Sequence, residues 1–126
     1  MKTAPDVAAA ADDNLATHFT WVQRRTAGMR AILEDDLVRT ECGMDCDTFN
    51  AVCRGRLAPG AAARRIDRAI AWFAGRPFSW WVGPADRPWD LGRRLSDAGL
   101  SASETELAMA APLSRIRDVE SAPAGP

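Results

Sequence analysis

Phe49-Asn50-Ala51-Val52-Cys53-Arg54, an apolar-striped run from Ala62 to Phe73, then Phe78-Ser79-Trp80-Trp81-Val82 closed by Gly83-Pro84: this succession decides the fold. Residues 48–54 alternate, with Phe49, Ala51 and Cys53 on one face of a strand and Asn50, Val52 and Arg54 on the other. After Pro59 or Gly60 the period changes. Ala62, Ile66, Ala69, Ile70 and Phe73 then form one helical stripe, with Arg64, Arg65 and Arg68 on the polar side, and Gly75 and Pro77 stop it. Residues 78–82 read as an aromatic strand, so strand, helix and strand follow one another.

Working outward, Asp12 or Asp13 serves as the N-cap of a first helix whose stripe is Leu15, Phe19 and Val22, ended by Gly28. Residues 29–33 and 37–42 flank Glu34-Asp35-Asp36 as a hairpin. Pro88 opens a short helix carrying Leu91, Leu95 and Ala98, closed by Gly99. Residues 101–112 alternate as a last strand, with Thr105, Leu107 and Met109 opposed to Glu104 and Glu106. The order α-β-β-β-α-β-α-β predicts an α+β domain, with α/β-like layering and a mostly antiparallel sheet flanked by helices. The ends, 1–11 and 115–126, read as frayed segments around a body at 12–114.

Composition narrows the function classes. The chain has 126 residues, 16 basic against 17 acidic, and a net charge of −1, so no overall field favours nucleic acid. No apolar run is long enough to span a bilayer, and the first residues lack a secretory h-region, which predicts a cytoplasmic protein. The three cysteines, 42, 46 and 53, are expected to be reduced thiols. Their C-x3-C-x6-C spacing lacks a zinc knuckle, so no metal site is expected, with His18 the one imidazole available to complete a set or activate a thiol.

The combination Phe49-Asn50-Ala51-Val52, the Ile66/Ile70 helix, Pro77-Phe78-Ser79-Trp80-Trp81-Val82-Gly83-Pro84, Pro88, Asp90-Leu91, Leu95, Gly99-Leu100 and Met109-Ala110 resembles the N-terminal half of two-domain bacterial GNAT-type N-acetyltransferases. The resemblance covers residues 12–114 and implies a degenerate GNAT-like domain. In that family the catalytic half carries a Gln/Arg-x-x-Gly-x-Gly/Ala loop whose backbone N–H groups hold the acetyl-CoA pyrophosphate. Here the equivalent junction is Arg54-Gly55-Arg56-Leu57-Ala58-Pro59-Gly60-Ala61. Aligned on Gly60, Leu57 replaces the Gln or Arg, and Pro59 removes a donor. The expectation is therefore no family-style acetyl-CoA site, with Arg54, Arg56 and Gly60 left as a weaker anion cradle. A half-protein of this kind is expected to cover its open face by forming a homodimer or by docking on a separate catalytic subunit.

Two site readings stand side by side. Adjacent on a strand, Trp80 and Trp81 point to opposite faces. Either both lie under helices, or one forms an aromatic wall for a small molecule, with Trp21 or Trp89 opposite and Asn50 orienting a polar group. Glu104 and Glu106 share a face that is either solvated or, in a cleft, a source of acid/base catalysis alongside His18. The first reading is a ligand-binding or partner-docking module. The second is a small stand-alone enzyme of bacterial small-molecule metabolism, or an acyltransferase with a non-standard acetyl-CoA site.

Overall fold

The structure, a computed structural model, describes residues 3–107 together with 109, 111, 112 and 114. Among these residues the chain forms α1 (Ala4–Trp21), β1 (Arg30–Leu33), β2 (Val38–Glu41), β3 (Ala51–Cys53), α2 (Ala62–Trp72), β4 (Ser79–Trp80) and α3 (Leu91–Asp97), with a 3-10 turn at Gln23–Arg25 after α1. The sheet order is β1-β2-β3-β4. The first two pairings are antiparallel and β3–β4 is parallel, because α2 is the crossover between them. This is the predicted α+β class, in the predicted order of elements through α3.

Alternation along the strands divides the core in two. Val52 faces α2 and α3, joining Leu57, Ile66, Ala69, Phe73, Leu91 and Leu95. Ala51 and Cys53 face the other way, packing with Val38 against Ala16 and Phe19 of α1. The Trp pair obeys the same rule. Trp80 packs on the α2 side and Trp81 on the α1 side, its ring centroid 5.5 Å from that of Phe19. Phe78 stacks on Phe73 at 4.3 Å, fastening the approach to β4 onto the end of α2.

The hairpin turn closes as its sequence suggests, with the Glu34 N–H donating to Leu37 O at 2.9 Å. Arg65, expected on a solvated helix face, instead donates twice to the Asp36 carboxylate, each bond 2.8 Å, and so ties α2 to the hairpin. Gly99 ends α3 with φ at 101°, a left-handed value that glycine adopts without a Cβ clash.

Three expectations are corrected. First, α1 starts at Ala4, eight residues before Asp12, because Thr3 and Asp6 form a reciprocal capping box ahead of an alanine-rich run of high helix propensity. Second, its buried stripe is Asp12, Ala16, Phe19 and Thr20, continued by Gln23 in the 3-10 turn, while Val22 is exposed. Third, residues 101–107 join no strand and lie exposed, and Phe49 falls outside β3 and is half exposed. Alternation states which side of a strand is apolar, but not whether a neighbour is there to pair with.

Candidate functional site

The first of the expected site residues lie at the exit of β3. Arg54 has φ at 53°, a left-handed value that interrupts the strand's alternation. Its guanidinium bridges α1 and the β1–β2 turn, Nε donating to Asp13 Oδ1 at 2.8 Å and Nη1 to the Asp35 carbonyl at 3.3 Å. Arg56 reaches the preceding residue of the same helix. Its Nη2 donates to Asp12 Oδ2 at 3.2 Å and its Nη1 to Asp86 Oδ1. Asp86 Oδ2 accepts the Gly83 N–H at 3.0 Å. The two aspartates expected to cap a helix thus sit in its middle, and their partners are the two arginines expected to cradle an anion.

Both carboxylates on Arg56 are buried. Burial pushes the Asp86 carboxyl above the usual carboxylate range. The Gly83 N–H and Arg56 pull it back, while Asp12 pushes it further up. The same burial, reinforced by Asp86 and Asp12 and opposed by Arg54, lifts the Cys53 thiol to about 12. Cys53 is therefore a protonated core residue at neutral pH and not a nucleophile. Gly60 is exposed in the turn before α2, and the α2 N-terminus has no side-chain cap. Arg54, Arg56 and Gly60 do not converge on one anion site, because both guanidiniums are spent on carboxylates.

The other expected site residues are dispersed. Asn50 is fully buried, its amide engaged on both sides. Its Oδ1 accepts the Cys42 N–H at 2.9 Å, and its Nδ2 donates to the Met44 and Pro77 carbonyls at 2.7 and 3.0 Å. It stitches the β2–β3 connection to the approach of β4 and offers nothing to a ligand. Trp80 and Trp81 are half-buried on opposite faces, whereas Trp89 stands 89% exposed before α3. His18 is exposed in the last turn of α1, where its ring lies 5.8 Å from that of Phe19. Glu104 and Glu106 are exposed beyond α3, outside any strand. No group of three His, Cys, Asp or Glu side chains able to hold a metal ion stands among the described residues.

One of the four expected binding tryptophans does line a cleft. Between α1 and the β1–β2 hairpin lies an open hollow of about 380 Å³, with Trp21, Leu33 and Val38 as its apolar lining. Arg24, Asp35 and Arg54 are among its polar walls. The Arg25 guanidinium lies 4.0 Å above the Trp21 ring, a cation–π contact that holds the indole in place. Leu33 and Trp21 are both about half exposed, and β1 is an edge strand of the sheet, paired with β2 alone among the described residues. Leu33 was not singled out from the sequence. Its signal was present, since an apolar residue at the turn end of a predicted hairpin has no helix assigned to cover it.

No protein-family model matches the chain, and no curated protein and no solved structure matches it. No described helix is long and apolar enough to cross a membrane.

Proposed function

We propose that this chain is a GNAT-like domain that works by docking a protein partner, in the cytoplasm, with the cleft between α1 and β1 as its recognition surface. The observation that carries this reading is the open edge of β1 beside exposed Leu33 and Trp21. An edge strand presents unpaired backbone groups, and a neighbouring aromatic and aliphatic pair supplies an anchor. The order α-β-β-β-α-β-α and the helix-covered mixed sheet are what such a domain would have. Acetyl transfer is disfavoured by the use of Arg54 and Arg56 as internal ion-pair partners.

A small ligand is the second reading. Arg24 and Asp35 line the cleft without an ion-pair partner among the described residues, and they offer both charges to a zwitterionic molecule. The openness of the hollow favours the protein partner, because small-molecule sites enclose most of their ligand.

The test is photo-crosslinking in cells with a benzophenone amino acid in place of Leu33, and separately of Arg68, which is exposed on α2. A polypeptide adduct from position 33 and none from position 68 is expected. No adduct at 33, or equal adducts at both, would overturn the docking surface.

A further inference from the structure

We infer that the partner at the β1 edge is residues 104–109 of a second copy of this chain, added to the sheet as a fifth strand and exchanged reciprocally. This rests on the docking reading of the β1 cleft and names its occupant.

The two faces of β1 differ in character. Arg30 and Ile32 lie opposite Glu41 and Arg39 on the side of Trp72, while Ala31 and Leu33 lie opposite Thr40 and Val38 on the side of α1. A strand placed against β1 therefore meets Leu33 and Trp21 on one face. On the other it meets Arg30, whose side chain is 60% exposed even while it pairs with Glu41. Residues 104–109 have the matching alternation. Thr105, Leu107 and Met109 fall on one side, Glu104 and Glu106 on the other.

In the single chain its described residues, 104–107 and 109, join no strand, with Leu107 and Met109 86% and 87% exposed. Laid along β1 with Leu107 toward Leu33, it sets its acidic side beside Arg30. The opposite facing puts glutamates on Leu33, so the parity of the register is fixed by the side chains. Reciprocal exchange closes a twofold dimer and leaves no β1 edge open, which an unpaired edge strand otherwise exposes to aggregation. A net charge of −1 raises no barrier between copies.

The test is sedimentation equilibrium of the full chain from about 5 to about 500 µM, with Leu33→Asp and Leu107→Asp variants. Both positions are exposed, so the folded body tolerates the changes. The wild type is expected to dimerise, and each variant to weaken the dimer by more than about tenfold. A mixture of the two variants is expected to form more dimer than either alone. It restores one intact junction, the edge of the Leu107→Asp chain with the segment of the Leu33→Asp chain. A wild type that stays monomeric throughout, a dimer indifferent to either substitution, or a mixture no better than its components would overturn the exchange. If the chain is monomeric while position 33 crosslinks to a polypeptide of different mass, the docking surface stands and this occupant falls.

Discussion

The Asp12 carboxylate occupies the space that a side chain at Gly83 would need: a Cβ built there lies 2.0 Å from Asp12 Oδ1 and 2.7 Å from its carboxyl carbon. This glycine is required by close approach, since the helix carboxylate rests directly on the backbone that leaves β4. Gly83→Ala should push α1 off the loop or force Asp12 away from Arg56. A loss of about 1–3 kcal/mol, the usual cost of overpacking, is expected in urea unfolding. Stability equal to wild type would mean that Asp12 has another place to go.

Arg56 holds two buried carboxylates, so its removal leaves both without their cation. Arg56→Leu is expected to cost about 3–5 kcal/mol, as breaking a buried ion cluster does. Replacing Asp12, Arg56 and Asp86 together by apolar residues should recover most of that loss, because the desolvation penalty goes with the charges. Chemical denaturation of the single and triple variants measures both. A small loss for the single variant would show that water reaches the carboxylates.

The raised Asp86 carboxyl has a defined sign in the pH dependence of stability. An acid whose folded pKa exceeds its ordinary value, 3.8, binds its proton more tightly in the folded state. It favours folding fully below the ordinary value and loses that contribution as pH rises through the folded value. Against Asp86→Asn, whose amide does not titrate, the wild type should be relatively most stable near about pH 3 and lose ground toward about pH 7. Thermal melts across that range read the difference, and a wild-type advantage that grows with pH would contradict it.

Cysteine reactivity should follow burial. Cys53 is buried with its thiol pushed to about 12, and Cys42 is buried too, whereas Cys46 is partly exposed. Iodoacetamide at neutral pH should alkylate Cys46 in the native protein and reach Cys42 and Cys53 only on unfolding. Peptide mass mapping assigns each adduct. Native labelling of Cys53 would show that α1 lifts from the sheet on the labelling timescale.

Local signals carried the fold a long way. The Ile66–Phe73 stripe, the Trp80/Trp81 opposition and the stop at Gly99 depend on neighbours in sequence, and each stands where periodicity put it. The site was less legible because it is made of long-range pairs. Arg56 meets Asp12 across 44 positions and Asp86 across 30. Nothing in a charge pattern says that an Asp-Asp pair, a good N-cap, will sit in the middle of a helix and pair with two arginines. The Thr3-x-x-Asp6 box, by contrast, is a local signal, its two members three residues apart. Asn50 shows the same limit: its role is set by Pro77, 27 residues away.

The most direct test of the proposal that this chain docks a partner and transfers no acetyl group is titration of its tryptophan fluorescence with acetyl-CoA and free CoA, beside a thermal melt. A ligand that binds only the folded state must raise the melting temperature. With Arg54 and Arg56 committed to α1, neither quenching nor a melting shift is expected up to about millimolar ligand. Saturable quenching with a gain in melting temperature at about micromolar acetyl-CoA, weakened in an Arg54→Ala variant, would contradict the account and restore these arginines to a cofactor site.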